Sequence, residues 1–314
     1  MSSIQVRISG CAMPSTCLHV TPGSKLISKT SVYTVQEILG IGQFGKVVQC
    51  LKSNNERVAV KIKQNSARRE EENIMTMLKE TVSPDEGYFV KFETSFLFQG
   101  HLCQVYELLD ISLMEFIYKK RPKFHLKEIK TILVQVATAL NHLKNLRIVH
   151  AALTPENIML VDHKQQPLKI KIRDFASAGH VSKVKKGWPN QPLWYKSPEI
   201  ILGLPFNESI DMWSLGCIAA ELFSGFPLYM TYTHGPFPQN LLKLHSNNIV
   251  PPIQVLQHPF LTMQHLGHKL DSSSLVQQDT TQDKTDLGPV LGSDFTHIQT
   301  LTIVLHMAQT VSGR

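Results

Sequence analysis

Cysteine is sparse in this chain, and no two cysteines form a C-x-x-C pair. Cys11, Cys17, Cys50, Cys103 and Cys217 are an odd set at irregular spacing. That argues against a disulfide scaffold or a zinc site and fits a reducing compartment. No apolar run approaches the ~18 residues that a membrane span needs. The N-terminal MSSIQVRISGCAMPSTC has no apolar stretch behind a basic start, so no signal peptide is expected. Acidic side chains are the minority, 25 against 32 Lys and Arg, for a net charge of +7. The lysines are scattered, with one short cluster at Lys183, Lys185 and Lys186, so no direct nucleic-acid site is expected. These absences leave a soluble, intracellular protein as the expectation, with no membrane partner.

What is present suits one two-lobed domain: 314 residues, 42% of them hydrophobic. Residues 1–30 are aperiodic and are expected to be a flexible lead-in. From Tyr33, YTVQEILG, KVVQCLKS and ERVAVKIK read as three β-branched strands, with Ser53-Asn54-Asn55 as a hairpin turn. ARREEENIMTMLKE reads as a helix with Ile74, Met75 and Leu78 on one face. GYFVKFETSFLFQG and HLCQVYELL read as two further strands. Lys127 to Leu146 is helical, with Ile129, Leu133, Val136, Ala137, Leu140 and Leu143 in one stripe. NIMLVD and PLKIKIRD are short strands. Glu208 to Gly225 is so apolar that the helix must be buried, with Gly225 as its stop. Beyond Asp271 the chain is rich in Ser, Thr, Gln and Asp, and 271–314 is expected to be a disordered tail. THIQTLTIVLHMAQTV could add one late helix.

Chemistry enters at Gly40-Ile41-Gly42-Gln43-Phe44-Gly45-Lys46-Val47. Glycines at this spacing let a strand-turn-strand backbone approach phosphates without Cβ obstruction. Alone, such a motif is weak. A following helix would suggest a dinucleotide fold, whereas a following strand favours a kinase-type flap. Lys61 ends Val58-Ala59-Val60-Lys61 on the next strand. Such a lysine is ordinarily a snorkelling surface residue. Behind a glycine loop it can reach phosphates while a helix carboxylate holds it. Glu71 fits that carboxylate, with Glu72 as the competitor one step round the helix. An exposed acidic face accounts for Glu70 to Glu72 equally well.

His150-Ala151-Ala152-Leu153-Thr154-Pro155-Glu156-Asn157, then Asp174-Phe175-Ala176, Ser197-Pro198-Glu199 and Asp211-Met212-Trp213 follow in order. In this order they resemble the HRDxxxxN, DFG and APE elements of eukaryotic protein kinases. PENIMLVD, SPEIILGLPF, IDMWSLGC and HPFLTMQHL resemble the homeodomain-interacting protein kinases in particular, a family that likewise has alanine at the Ala151 position. The resemblance implies an α+β, two-lobed protein-kinase-like fold. It would have a small antiparallel N-lobe at 33–109 with one helix, and a mainly helical C-lobe at 110–262, shortened after 228. It implies ATP and Mg²⁺ as ligands. Leu39, Gly40, Gly42, Gly45, Val47, Ala59, Lys61, Glu71, Glu107, Leu109 and Met159 would hold the nucleotide, and Asn157 and Asp174 the metal. Tyr106 would stand at the back of the adenine pocket, with Leu108 completing the hinge.

The departures from that family are as informative. Ala152 stands where active relatives have the aspartate that orients the substrate hydroxyl and takes its proton. Losing a positioned base costs ~10²–10⁴-fold. Thr154 replaces the lysine that would neutralise charge on the moving phosphoryl group. Ala176 replaces the glycine of DFG, where glycine would allow angles alanine avoids. His150 is expected to be a structural histidine. Trp188-Pro189-Asn190 occupies the stretch where relatives carry an activating tyrosine, and Tyr195 aligns with a packing residue. Glu199 would pair with a late buried arginine, yet no arginine lies between Arg173 and Arg314. The expectation is an ATP-binding pseudokinase acting as a regulatory binding module in the nucleus and/or cytoplasm. Its partners would be transcription regulators or active kinase relatives. A weakly active Ser/Thr kinase is the alternative, and a truncated, non-functional product the third.

Overall fold

A computed structural model describes residues 18–42, 45–63, 70–82, 87–120, 124–183 and 191–228. The chain divides into two compact units: Met1–Thr76 with Lys91–Leu108, and Met77–Val90 with Leu109–Arg314.

The first unit is a six-stranded antiparallel sheet. Its strands are β1 (Lys25–Ile27), β2 (Val32–Gly42), β3 (Gly45–Lys52), β4 (Arg57–Lys63), β5 (Phe92–Phe98) and β6 (His101–Glu107), in the order β1-β2-β3-β4-β6-β5. Alternation builds its core. Val58, Val60 and Ile62 point to one face of β4 and bury against Val48, Cys50, Cys103 and Val105. Burial in this apolar layer pushes the Cys50 and Cys103 thiols up to about 12, which keeps them unreactive. Tight turns join the strands. Asn55, at φ 64, turns β3 into β4, and Gln99 (φ 48) with Gly100 (φ 79) turns β5 into β6. Asn and Gly are residues that accept this left-handed backbone readily.

The lead-in expectation needs correction. Residues 25–27 form β1, paired to β2 from Lys25↔Thr34 to Ile27↔Val32, and Val20 and Leu26 are buried. Two apolar residues spaced among polar ones are too few to register as a strand, but the sheet edge buries them. Residues 1–17 of the lead-in lie outside the described residues.

Helix α1 (Glu70–Thr81) begins in the first unit, and Ile74, Met75 and Leu78 are buried. The second unit contains α2 (Leu113–Glu115), continued by a wide turn through Phe116–Lys120, and α3 (Leu126–Asn145). Then come β7 (Ile148–Val149), β8 (Ile158–Asp162), β9 (Gln166–Ile172), β10 (Gly179–His180), α4 (Pro198–Ile201) and α5 (Ser209–Ser224). The expected α3 stripe is buried throughout. His125 and Glu128 close its N-terminus as a reciprocal capping pair. Gln135 of α3 holds the edge of β9, donating to the Leu168 carbonyl at 2.7 Å and accepting from Ile170 N–H at 3.1 Å. Helix α5 is buried from Ile210 to Leu215 and from Cys217 to Leu222, and Gly225 (φ 83) ends it. Strands β7 and β10 pair with each other, and so do β8 and β9. The two-residue β7–β10 pairing is too short to be read from sequence. No helix among the described residues is long and apolar enough to cross a membrane.

The expectations for Trp188-Pro189-Asn190, for HPFLTMQHL, for a shortened region after 228, for the late helix and for the 271–314 tail all lie outside the described residues.

Candidate functional site

In the first unit, strand register places the expected residues. Val47 of β3 stands opposite Gly40 on one side and Lys61 on the other. Ala59 stands opposite Tyr106, and Lys61 opposite Gln104. Leu39 is exposed. Gly45 adopts φ +133, and a Cβ there would press into the Ile62 carbonyl, whose carbon would lie 3.0 Å away. Only glycine fits. Gly40 and Gly42 differ, since a Cβ on either would meet nothing within 4 Å. Their lack of side chains serves no internal packing and leaves backbone open to a close ligand.

Lys61 Nζ donates to both Glu71 oxygens, at 2.9 and 3.2 Å. Glu72 turns instead to Ser95, whose hydroxyl donates to its Oε1 at 2.5 Å. The choice between the two carboxylates thus falls on Glu71. Tyr106 is buried, and its hydroxyl stands 3.5 Å from Glu71 Oε1. Lys63, two residues along β4, also pairs with Glu71 through Oε2. Gln104 is fully buried, and neither of its amide atoms finds a partner among the described residues. At the end of β6, Glu107 accepts from Lys91 N–H at 2.6 Å and donates its own N–H to the Lys91 carbonyl at 3.0 Å.

In the second unit, the loop after β7 is tied down by Asp211 of α5. Asp211 accepts from His150 N–H at 2.7 Å and Ala151 N–H at 2.9 Å. Burial pushes its carboxyl up to about 7, against the downward pull of these two donors. Both ring nitrogens of His150 are engaged. Nδ1 accepts from Ala152 N–H at 3.3 Å, and Nε2 lies 3.1 Å from the Arg173 carbonyl. One accepting and one donating nitrogen define the neutral imidazole with its proton on Nε2. The ring is fully buried, with Phe175 edge-on at 4.8 Å. His150 is therefore structural.

Ala152 presents only a methyl group at the loop's turn, and its carbonyl accepts from Asn157 Nδ2 at 2.9 Å. With the amide nitrogen so used, Oδ1 is the Asn157 atom suited to a cation. Thr154 is buried and accepts Asn157 N–H on its carbonyl at 3.0 Å. Met159 lies on β8, bridged to Ser112. Leu109 is half-buried, the first residue of this segment of the unit. Asp174 holds the left-handed conformation, φ 65 and ψ 77, just before a short turn at Phe175–Ser177. Ala176 lies inside that helical turn, so alanine is unstrained there and the concern about a lost glycine does not apply.

Further along, Gln191 is buried and donates to the Ile210 carbonyl and the Ser214 hydroxyl while accepting Ser197 N–H. Tyr195 is buried and donates to Glu221 at 2.6 Å. Burial raises the hydroxyl of Tyr195 and the carboxyl of Glu221 alike. Glu199 is 1% exposed, and neither of its carboxylate oxygens has a hydrogen-bond partner among the described residues. Burial holds its carboxyl above the usual range.

Residues 33–266 match the protein kinase domain family. This chain belongs to that family. Homeodomain-interacting protein kinase 2 of Mesocricetus auratus is 49% identical over 212 residues, 65% of this chain and 18% of that protein. The corresponding protein 1 of Caenorhabditis elegans is 49% identical over 206 residues, 63% of this chain and 24% of that protein. Protein 4 of Homo sapiens is 42% identical over 216 residues, 66% and 35% respectively. The matched part of the chain thus spans between about a sixth and about a third of these curated relatives.

Several residues that shape this kinase domain went unread in the sequence. Lys63 had a signal: two residues on from Lys61 along a strand, it must share that face. Gln104, directly across the ladder from Lys61, needed the strand register. Asp211 was noted as part of a motif, but its clamp on the loop depends on a separation of about sixty residues that no local pattern reveals.

Proposed function

We propose that this chain is an ATP-binding pseudokinase of the homeodomain-interacting type, a regulatory binding module with a kinase-like domain over 33–262. The observation that carries the reading is the loop around Ala152. Its backbone is fastened by Asp211, His150 and Asn157, yet the side chain at the base position is a methyl group. His150 cannot take over, because both its nitrogens are engaged and its ring is buried. A phosphotransfer that relies on positioning and electrostatics loses its base here, and at Thr154 it loses a cation.

Nucleotide binding rests on other residues. Lys61 and Glu71 form the ion pair that such a site needs, Gly40 and Gly42 leave backbone open, and Asn157 and Asp174 supply oxygen ligands suited to Mg²⁺. Lys61 would hold phosphate oxygens of ATP, and Asn157 and Asp174 would each offer an oxygen to Mg²⁺, the ion supplying charge neutralisation when bound. The intact Lys61–Glu71 pair also favours a second reading, a weakly active Ser/Thr protein kinase, since positioning alone supplies part of catalysis. The partners proposed are active kinase relatives and transcription regulators, among them homeodomain proteins of the kind after which the relatives are named, in nucleus and/or cytoplasm.

The test is a thermal melt with and without Mg²⁺-ATP, beside Lys61→Ala. Ligand at ~100 times its dissociation constant adds roughly 2.7 kcal/mol and raises the melting temperature. The shift should vanish in the variant. Ala152→Asp, assayed for phosphate transfer to peptide, separates the two readings. The pseudokinase reading expects essentially no wild-type turnover; measurable wild-type transfer abolished by Lys61→Ala would favour the enzyme.

A further inference from the structure

Arg173 follows the last residue of β9 and directly precedes Asp174. Its N–H donates to the Asn157 carbonyl at 2.9 Å, which extends the β8–β9 ladder by one pair. In that ladder Ile158 stands opposite Ile172 and Leu160 opposite Ile170, and all four are buried on one face. Asn157, Met159, Lys171 and Arg173 alternate to the other face. Arg173 thus shares a face with Met159 and stands at its Asn157 end. All these residues, with Asp174, belong to the second unit. The protein does not settle the guanidinium. Arg173 is half-buried, yet its Nε is shielded from solvent and has no hydrogen-bond partner among the described residues. None of the ion pairs among the described residues uses it. A shielded donor on a permanently charged group costs free energy until an acceptor meets it. The planar fork of a guanidinium is matched to phosphate oxygens.

We propose that Arg173 is a phosphate-binding residue: its guanidinium takes oxygens of a nucleotide's polyphosphate on the face that carries Asn157, and so supplies from the chain itself part of the positive charge that a divalent ion would otherwise bring. The proposal rests on the nucleotide reading given above and adds a fixed cation to it. Thr154 brings no charge to this loop, so Arg173 is a gain set against a loss. Asp174 beside Arg173 makes a pair with no net charge. Such a pair draws a divalent cation less strongly than a carboxylate alone, and draws phosphate more strongly. Nucleotide affinity in this chain therefore depends only weakly on Mg²⁺.

Calorimetry on the full chain tests this with three probes: ATP with Mg²⁺, ATP with excess chelator, and adenosine. The wild type should bind chelated ATP within about tenfold of its affinity for Mg²⁺-ATP. Arg173→Met should weaken chelated ATP by about tenfold to a hundredfold while leaving adenosine within about twofold, because a charge-assisted contact to phosphate is lost and nothing else. Arg173→Lys, which keeps the charge and loses the fork, should recover part of the loss. A ligand-free melt checks folding, and Arg173→Met should melt no lower than the wild type, since an unpartnered shielded donor has been removed. Should that variant fail to fold, Arg173→Gln carries the same comparison. Equal affinity of wild type and variant for chelated ATP would overturn the proposal. So would an equal loss of adenosine and ATP, which would mean that Arg173 supports the site and touches no phosphate. A wild type that binds Mg²⁺-ATP but not chelated ATP refutes the role of Arg173 and leaves the nucleotide reading standing; one that binds neither adenosine nor ATP removes both.

Discussion

Glu199→Gln keeps the shape of a buried side chain and removes its charge, and its effect on stability should depend on pH in a defined direction. The Glu199 carboxyl is raised in the fold by burial. An ordinary glutamate releases its proton near ~4.3. Above that point the unfolded chain has lost a proton that the folded chain retains, so wild-type stability falls as pH climbs. The loss is about 1.4 kcal/mol per pH unit until the folded carboxyl itself ionises. Glutamine has no such loss, but its amide is itself unpartnered and costs ~1–3 kcal/mol at every pH. The variant should therefore match or trail the wild type near pH 4.5 and gain on it as pH rises, until the folded carboxyl ionises. Urea unfolding at each pH measures this, and the change in the difference is the quantity to watch. Asp211 and Glu221, also raised by burial, contribute equally to both proteins and cancel. A difference that stays flat, or that moves against glutamine as pH rises, would refute the reasoning. It would mean that Glu199 is held as an anion by a cation from outside the described residues.

Gln104→Leu should stabilise the protein by ~1–3 kcal/mol in the same assay, because it removes a fully buried amide whose two polar atoms have no partner among the described residues. Gly45→Ala should cost ~1–3 kcal/mol from its φ of +133 alone, and more from the contact with Ile62. Gly40→Ala, with open space around it, should leave the melting temperature nearly unchanged and weaken ATP binding instead; equal destabilisation by the two alanines would contradict the distinction.

Local pattern accounts for much of what could be read before the structure. Val58, Val60 and Ile62 alternate, the α3 stripe repeats at helical spacing, and the α5 run is apolar almost throughout, so each element declares itself within its own window. The α+β kinase-type fold follows from motifs in register, and the family match over residues 33–266 agrees. Where information is non-local, pattern fails. Leu26 is buried only because β2 lies beside it, and nothing in Lys25–Ile27 says so. Helical spacing favours Glu71 over Glu72 without deciding between them; Ser95, on a strand over twenty residues away, separates them by taking Glu72. A lysine in a strand is usually solvated, and at Lys63 the neighbouring Glu71 carboxylate overrides that tendency.

Ala151 holds a φ of 62, a conformation an alanine adopts at a cost of order 1 kcal/mol or more, and Asp211 grips the two successive amides, of His150 and Ala151, that lead into the bend. The contour of a phosphate-transferring loop thus persists where its reacting side chain does not. If the chain is the pseudokinase proposed above, a peptide segment that recognises such a contour by backbone shape would meet here a surface that can receive it and leave it chemically unchanged. On the proposed pseudokinase reading, occupancy of that kind would end by dissociation and not by turnover, so the time a partner spends on this chain would be set by its off-rate alone.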